Sequence, residues 1–361
     1  MHKFRETNQN RAKYAAKGKF MRRLEDGIPA CIGNTPLVRL TKIIEAGFQL
    51  YAKLEGGNPG GSLKDRPALE IIRQGIKNGR INQNTVVVEA TSGNMGIGLA
   101  QICRYLGLRF ICVIDPKTTL LNQRLLKVYG AQIKMVAKPD TSGGDLLQTR
   151  INRAREIAGS IQNSFWVNQY ANSYNAQAHH QTMNEIVAAL DGQLNYLFCP
   201  ASSCGTLKGC ADYLRKHGLP TKICVADSPG SVIFGGKRGQ RLIPGHGAGV
   251  RPDLYRPGLA HRCVQITDME AVIGCRLILS KEALLVGGSS GATLMAVSKI
   301  ANEIPPGATC AMIFPDRGER YLDTIFSDEW VRENLRCCPA NFSQNDDFRD
   351  YSSASEPHCN S

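Results

Sequence analysis

The sequence has few of the features that mark membrane, secreted or metal-binding proteins. In 361 residues no apolar run approaches the length of a membrane-spanning helix, so we expect none. The N-terminus has no apolar signal core, which argues against secretion. The 13 cysteines include no CxxC pair and no Cys/His cluster with zinc-site spacing, so no metal centre is predicted. Cysteines scattered through apolar runs fit a reduced cytoplasm, where we expect the protein to reside.

The net charge of +13 is unevenly distributed. Between Met1 and Leu24 there are eight Lys or Arg residues and one acid, Glu6, so about half of the excess lies in one segment. We interpret this segment as a solvated arm; it contains no serine, which disfavours an organelle-targeting peptide. No groove-reading motif and no interleaving of basic and aromatic residues is present, so no nucleic-acid partner is predicted. The remaining positive charge suits anionic substrates.

Short β-branched runs alternate with patterns of helical length along most of the chain. The predicted strands are Thr85–Glu89, Arg109–Asp115, Gln132–Val136, Tyr196–Cys199, Lys222–Ala226 and Thr309–Phe314. The predicted helices are Gly96–Leu106, Leu120–Tyr129, Asp145–Ala158, Gln177–Leu190 and Thr206–His217. Such alternation is typical of parallel sheets with helical crossovers, so we predict an α/β fold.

A chain of this length can form two lobes with a cleft between them. We expect a basic arm (1–23), a larger lobe (24–58 and 161–335), a smaller mobile lobe (59–160) and a polar, disordered tail (336–361).

Lys64 is the residue that says most about function. It lies in the segment Gly60–Pro67 (GGSLKDRP). A second motif, Thr91–Gly96 (TSGNMG), follows further along the chain. Lysine amines form Schiff bases with carbonyl compounds, of which pyridoxal phosphate (PLP) is the usual one. A small, hydroxylated turn at a helix start can hold the edge of such a cofactor. The order and spacing of the two motifs predict a PLP enzyme.

Two further turns rich in serine and glycine each precede a helical pattern. Small residues in Ser202–Thr206 (SSCGT) let backbone N–H groups approach a phosphate, although such a turn also serves as an ordinary helix cap. In Gly287–Gly291 (GGSSG) a serine hydroxyl can meet the pyridine nitrogen of the cofactor. A neutral hydroxyl there makes the ring a weaker electron sink than a carboxylate would, which favours loss of a β-substituent over transamination.

With these motifs, the chain from about Ile28 to Phe326 resembles the cysteine synthase and cystathionine β-synthase family of PLP enzymes, which has fold type II. Ile32–Leu40 (IGNTPLVRL) is similar to the family's entry motif, and Phe314–Leu322 (FPDRGERYL) to its closing segment. The resemblance implies two lobes, each with a mostly parallel sheet flanked by helices, and a cofactor in the cleft. It also implies small amino-acid substrates and a homodimer.

The same resemblance assigns roles to single residues. Lys64 is implied to be the catalytic Schiff-base lysine. The other residues implied to bind the cofactor are Asn94 beside the ring oxygen, Ser202, Ser203, Cys204, Gly205 and Thr206 at the phosphate, and Ser289 at the pyridine nitrogen. Those implied to bind the substrate α-carboxylate are Thr91, Ser92, Met95 and Gln169. Simple helix capping by Thr91 and Ser92 is compatible with that role.

Several departures from the cysteine synthases point to one branch of the family. Ser202–Cys204 replaces a glycine- and threonine-containing loop, Tyr170 stands where phenylalanine is usual, and Arg66-Pro67-Ala68 follows the lysine. Together with Ser231–Gly236 (SVIFGG), these residues resemble the branch that makes N-(2-amino-2-carboxyethyl)-L-glutamate for 2,3-diaminopropionate, a component of siderophores and peptide antibiotics. The implied reaction replaces the phosphate of O-phospho-L-serine by L-glutamate through an aminoacrylate.

Glutamate is a larger and more highly charged acceptor than sulfide, so its site needs additional donors and positive charge. Tyr170 and Ser203 each add a hydroxyl, and Arg150 is a candidate carboxylate fork. A solvent-facing position on its helix is the alternative for Arg150.

Other functions remain open at this point. The nearest is an O-acetylserine or O-phosphoserine sulfhydrylase, a cysteine synthase. Cystathionine β-synthase is less favoured, because little sequence follows the closing segment to form a regulatory pair of domains. A catalytically silent family member that acts as a binding partner is disfavoured by the presence of Lys64.

Overall fold

The computed structural model describes residue 21 and residues 24–43, 47–139 and 146–335. Apart from Met21, the expectations for the basic arm and for the polar tail concern residues outside these ranges. The described chain forms two compact units. Unit 1 comprises the described residues up to Gly33 together with Asn58–Gly60 and Lys64–Asn175. Unit 2 comprises those of Asn34–Gly57 and Gly61–Leu63 and those from Ala176 onward.

The secondary structure of the described residues alternates between strands and helices. The strands are β1 (Leu37–Arg39), β2 (Gln49–Leu54), β3 (Val86–Ala90), β4 (Arg109–Ile114), β5 (Gln132–Met135), β6 (Ser164–Trp166), β7 (Tyr196–Pro200), β8 (Lys222–Asp227), β9 (Arg262–Gln265) and β10 (Thr309–Phe314). The α-helices are α1 (Asp65–Lys77), α2 (Asn94–Leu106), α3 (Leu120–Val128), α4 (Leu146–Ser160), α5 (Ser173–Ala189), α6 (Gly205–Lys216), α7 (Asp268–Glu282), α8 (Gly288–Ile300) and α9 (Asp328–Leu335).

Unit 1 is built on a four-stranded parallel sheet in the order β5-β4-β3-β6. Successive residues of a strand point to opposite faces. In β3, Val87 accordingly joins a core formed with α1 and α2, whereas Val86 and Val88 join a core formed with α4. The whole strand is buried, which explains its nearly continuous apolar sequence.

Unit 2 is built on a six-stranded sheet in the order β1-β2-β10-β7-β8-β9. All neighbouring strands are parallel except β1, which runs antiparallel to β2. Met312 and Phe314 of β10 pack in a core with α7 and α8, and Ala311 and Ile313 pack in a second core with α5 and α6. The sheet therefore carries helices on both faces.

The two helix-flanked sheets confirm the predicted α/β fold. Each of the six predicted strands is present, with ends that differ from the prediction by one residue at most. Within the described ranges, no helix is both long enough and apolar enough to cross a membrane.

A buried ion pair connects strand β2 to helix α5 in unit 2, and both of its side chains also bind the segment before β1. The Nζ atom of Lys53 lies 2.6 Å from Oε2 of Glu185, and the two side chains are 2% and 11% exposed. Lys53 Nζ also donates to the Thr35 carbonyl (2.5 Å), and Glu185 Oε1 accepts from the Asn34 amide (2.9 Å). Asn34 adopts a left-handed φ of 47° in this turn. The motif found by sequence around Thr35 is thus held by buried charged groups.

Candidate active site

Lys64 is the N-cap residue of α1 in unit 1, and its carbonyl accepts from the Ala68 amide (3.0 Å). The Gly60 amide donates to Asp65 Oδ2, and a Cβ at Gly60 would lie only 2.5 Å from Asp65 Oδ1. Glycine at this position therefore allows the carboxylate to close the turn before the lysine. A Cβ at Gly98 of α2 would lie 3.2 Å from the Lys64 carbonyl oxygen, so α2 packs directly against the start of α1.

The turn between β3 and α2 presents an uncapped helix N-terminus. Gly93 is the N-cap residue, and no side chain caps the helix there. The Thr91 hydroxyl accepts from the Gly93 amide (3.4 Å), and the Ser92 carbonyl accepts from Asn122 Nδ2 (3.1 Å). Thr91 therefore binds the amide of the N-cap residue, which itself provides no side-chain cap. The turn is thus held by the Asn122 side chain of α3, and its N-cap residue leaves the start of α2 without a side-chain cap.

Asn94 and Met95 are the first two residues of α2. The Met95 side chain is buried in the core that α1 and α2 share, so its backbone amide is the group that can meet a ligand. A carboxylate at this helix start would be stabilised by the amides and by the helix dipole.

Gln169 follows β6, and its side chain is hydrogen-bonded to the last two residues of β3. Its Nε2 donates to Glu89 Oε1 and to the Ala90 carbonyl, both at 3.3 Å. The Gln169 carbonyl accepts from Asn175 Nδ2 (2.7 Å). Tyr170 is half-buried and packs against the core formed with α4. Unit 1 thus brings the Gln169 amide to the end of β3, next to the turn that begins at Thr91.

Glu89 is a residue of this site that the sequence reasoning missed. Its side chain is 1% exposed, and burial raises the pKa of the carboxyl to about 8. The sequence feature that could have revealed it is a single acidic residue within the apolar run of β3. An acid buried next to a candidate substrate-binding amide has a perturbed pKa of the kind found at functional sites.

Arg150 lies on α4 and is 7% exposed, so its alternative position on a solvated helix face is wrong. Its Nε lies 3.0 Å from Asp115 Oδ2, within ion-pair distance but not aligned as a hydrogen bond. Its Nη1 has no hydrogen-bonding partner among the described residues. Ile151, the next residue of the helix, belongs to the core against which Tyr170 packs.

The turn Ser202–Thr206 in unit 2 joins β7 to α6. Cys204 is the N-cap residue, adopts a left-handed φ of 61° and provides no side-chain cap. Ser203 and Thr206 are both buried, and α6 begins at Gly205. The backbone turns sharply into a helix whose N-cap residue provides no side-chain cap, an arrangement that suits a phosphate-binding loop.

Ser289 lies in the first turn of α8 in unit 2. The helix starts after Gly287 without a side-chain cap. Gly245 adopts a φ of +98°, and a Cβ there would lie 3.1 Å from Ser289 Oγ. The neighbouring Ser290 hydroxyl is fully buried and has no hydrogen-bonding partner among the described residues. Glycine at position 245 leaves space directly beside the Ser289 hydroxyl.

Within unit 2, the closing segment contacts the residues that precede the lysine. The Leu63 amide donates to the Pro315 carbonyl (2.7 Å), and Ser62 pairs with Asp316 as an isolated bridge. Asp316 Oδ2 also accepts from the Tyr321 hydroxyl (2.6 Å), and burial raises the pKa of Tyr321. The chain leading into Lys64 is therefore attached to the end of β10.

Comparison with known proteins identifies the class. A family model described as pyridoxal-phosphate dependent enzyme matches residues 28–316. The chain belongs to this family of PLP-dependent enzymes, as the sequence predicted.

Solved structures give the nearer relationships. The chain is similar to the O-acetylserine dependent cystathionine beta-synthase of Helicobacter pylori (33% identity, TM-score 0.77, 82% of this chain and 97% of that chain covered). It is also similar to an O-ureido-L-serine synthase (28% identity, TM-score 0.78, 86% and 96% covered). The O-acetyl serine sulfhydrylase isoform 3 of Entamoeba histolytica is similar at 32% identity (TM-score 0.76, 82% and 90% covered). The protein is thus a PLP-dependent enzyme of the cysteine synthase and cystathionine β-synthase type.

The residues present fit the cofactor, as observations in each unit show. Helices α2, α6 and α8 all begin without a side-chain cap. The Cys204 turn presents the amides that a phosphate needs, and Gly245 leaves space beside the Ser289 hydroxyl.

The raised pKa of Glu89 predicts a pH-dependent stability. Between its ordinary value of 4.5 and about 8, the folded carboxyl holds a proton that the unfolded one has lost. Folding stability should therefore fall over this range as the pH rises. Glu89→Gln cannot ionise, so the variant should gain stability relative to the wild type between about pH 5 and about pH 8.5. Urea unfolding midpoints of both proteins check this.

Glu156 is the control for that prediction, because its side chain is 63% exposed in an ion pair with Arg153. The difference between Glu156→Gln and wild type should change little with pH. A difference between Glu89→Gln and wild type that is constant with pH would show that Glu89 ionises normally.

Proposed function

We propose that the protein replaces the phosphate of O-phospho-L-serine with the amine of L-glutamate, forming N-(2-amino-2-carboxyethyl)-L-glutamate. The observation that carries this proposal is Arg150, a buried guanidinium whose Nη1 has no partner among the described residues. Asp115 lies within ion-pair distance of Nε, but a buried N–H group without an acceptor is costly, and a ligand carboxylate would provide one for Nη1. Sulfide, the alternative acceptor, provides no such group.

Tyr170 supports the same acceptor. It packs against the core that contains Ile151, the neighbour of Arg150 in α4. A hydroxyl and a guanidinium carried by the same core of unit 1 suit a carboxylate-bearing acceptor. Ser203, buried in the turn before α6, adds a further hydroxyl in unit 2.

The relatives leave the substrate open. Their descriptions mention O-acetylserine and O-ureido-L-serine, so the same fold serves different donors and products. The acceptor must therefore be inferred from the side chains of this chain. The sulfhydrylase alternative is supported by the similarity to the Entamoeba histolytica enzyme.

Within this proposal each residue has a defined task. The amine of Lys64 would hold the cofactor at its aldehyde carbon and would move the proton at the substrate Cα. The amides of Thr91–Met95, together with Gln169, hold the α-carboxylate. Ser202–Thr206 holds the cofactor phosphate, with Asn94 at the ring oxygen. When bound, PLP supplies the electron sink for breaking bonds at the substrate carbons.

Ser289 is proposed to meet the pyridine nitrogen. Because its hydroxyl carries no charge, the site favours release of a β-substituent over transamination. Arg150 and Tyr170 orient the glutamate so that its amine, rather than a carboxylate, reaches the reacting carbon.

A substrate matrix tests the proposal. Purified enzyme is incubated with O-phospho-L-serine or O-acetyl-L-serine, together with L-glutamate or sulfide, and products are identified by mass. We expect the phosphoserine and glutamate pair to give the fastest turnover. Tyr170→Phe should slow formation of the glutamate product by roughly ten-fold, because it removes one hydrogen bond to a charged acceptor. Ser203→Gly should also weaken glutamate use.

Tyr174→Phe is the matched control. Its hydroxyl accepts from Asn78 Nδ2 (3.0 Å) in the same unit and has no proposed role in the reaction, so its rates should match the wild type. If sulfide is used far faster than glutamate and Tyr170→Phe alters neither rate, the protein is a sulfhydrylase instead.

A further inference from the structure

A buried histidine stands directly behind the turn assigned to the cofactor phosphate. His179 of α5 is fully buried in unit 2. Its Nε2 lies 3.3 Å from Oγ1 of Thr206, in the first turn of α6. Its Nδ1 lies 3.2 Å from Oγ1 of Thr182, one helical turn further along α5. The three side chains form a chain of hydroxyl, imidazole and hydroxyl, and both threonines are buried.

Close contact between two helices fixes this arrangement. A Cβ at Gly209 of α6 would lie 2.1 Å from the Ala176 carbonyl oxygen and 2.7 Å from the His179 Cβ. The backbones of α5 and α6 therefore touch at the glycine. This contact sets the distance between the imidazole ring and Thr206, so the ring has little freedom to move away.

The direction of the two hydrogen bonds depends on the tautomer of His179, and counting protons shows what each direction would mean for Thr206. An imidazole with one ring proton donates from one nitrogen and accepts at the other, and a hydroxyl has one proton to donate. If Nε2 accepted from Thr206, the only proton of that hydroxyl would be used and an oxygen lone pair would face the phosphate. If Nε2–H donates to Thr206 Oγ1, the threonine proton stays available for the phosphate. Nδ1 then accepts from the Thr182 hydroxyl.

We propose that His179 is a positioning residue that makes the Thr206 hydroxyl a hydrogen-bond donor to the cofactor phosphate, with Thr182 selecting the tautomer. The inference rests on the assignment of Ser202–Thr206 as the phosphate-binding turn in the proposed function. It adds a residue from α5 that does not itself touch the cofactor. It accounts for a fully buried imidazole between two buried hydroxyls.

The test measures cofactor affinity rather than turnover. Holoenzyme is dialysed against decreasing PLP, and the dissociation constant is obtained from the bound fraction. His179→Leu should raise this constant by about ten-fold or more, because a hydrogen bond to a charged phosphate is weakened. His179→Gln, whose amide N–H can take the place of Nε2–H, should stay within about three-fold of wild type. The ³¹P resonance of bound cofactor should shift in His179→Leu.

A double-mutant cycle separates positioning from a general structural effect. Thr206→Val should weaken PLP binding, and adding His179→Leu to it should cause little further loss, since both remove the same interaction. Binding of pyridoxal, which has no phosphate, should be equal in wild type and His179→Leu. His180→Leu is the control on the same helix, because its ring faces Tyr213 at an edge-to-face distance of 6.4 Å and should leave PLP affinity unchanged.

The outcomes that overturn the inference are distinct from those that overturn the proposed function. The inference fails if His179→Leu lowers PLP affinity equally in the wild type and in Thr206→Val. It also fails if His179→Leu lowers the affinity for pyridoxal as much as that for PLP. Either result would show that the histidine acts only on the fold. If Thr206→Val itself leaves PLP affinity unchanged, the phosphate assignment is wrong. The choice between glutamate and sulfide affects neither measurement. Should His179→Leu fail to fold, Thr182→Val provides the same cycle, because it keeps the ring and removes only the hydroxyl that selects the tautomer.

Discussion

Replacing Lys64 with alanine should abolish covalent attachment of the cofactor and reduce turnover by at least about 10³-fold. General acid–base catalysis alone contributes about 10² to 10⁴ in rate, and the covalent anchor is lost as well. The lysine is the N-cap residue of α1 and lies between the Gly60–Asp65 turn and the contact with Gly98, so its backbone position is fixed. Borohydride reduction should make the link between PLP and the lysine permanent. Peptide mass analysis should then detect PLP on the Lys64 peptide of the wild type only.

Lys127 is the control for this experiment. It is exposed at the end of α3 in the same unit, so Lys127→Ala should retain both the cofactor and the rate. Turnover of Lys64→Ala near the wild-type rate would show that a different residue performs the proton transfer.

Removing Glu185 should destabilise the protein by about 3–5 kcal/mol, because the Lys53 ammonium would be left buried without its partner. The Asn34 amide would lose its acceptor at the same time. The expected result for Glu185→Ala is a urea midpoint far below that of the wild type. Because replacing a buried ion pair by apolar side chains is often neutral, the double variant Lys53→Met with Glu185→Leu should recover much of the loss.

An exposed ion pair provides the comparison. Arg153 and Glu156 lie 2.9 Å apart on α4 with side chains 54% and 63% exposed, so Glu156→Ala should cost about 1 kcal/mol or less. Equal effects of Glu185→Ala and Glu156→Ala would mean that Lys53 finds another acceptor or reaches water.

Elements with a local sequence signal were predicted well. The β-branched runs of β3, β4 and β10 and the glycine after α2, where Gly107 adopts a φ of 73°, are visible without tertiary information. Strand β2 was not predicted, because Lys53 interrupts its apolar pattern. Only a contact with Glu185, far along the chain, makes a lysine acceptable at that buried position.

A helix was expected after Gly287–Gly291, but the start of α8 at Gly288, inside this segment, was missed for a related reason. Its first residues, Gly288–Gly291, have the composition of a turn. They are helical because α7 packs against them so closely that a Cβ at Gly291 would lie 2.1 Å from the Ala271 carbonyl oxygen. Strand β6 has only three residues, too few for a pattern.

The residues of the candidate site also fall into those with a local sequence signal and those without one. Lys64 and the three uncapped turns were found because each motif is contiguous in sequence. Glu89 and His179 were not, because their partners Gln169 and Thr206 lie 80 and 27 residues away. Arg150 was named as a candidate because a glutamate acceptor needs positive charge, but its burial against Asp115 could be known only from the packing of α4.

The strand order of unit 2 has a consequence for synthesis on the ribosome. Strand β10 lies between β2 and β7, and Gln49 pairs with Thr309. At about 5–20 residues per second, β2 waits on the order of 10–50 s after its emergence for the strand beside which it belongs. The four strands of unit 1 all lie between Val86 and Trp166, so its sheet can assemble while the second half of unit 2 is still being translated. The nascent chain therefore passes through an interval in which one strand edge of unit 2 is unpaired and open to aggregation or to chaperone binding.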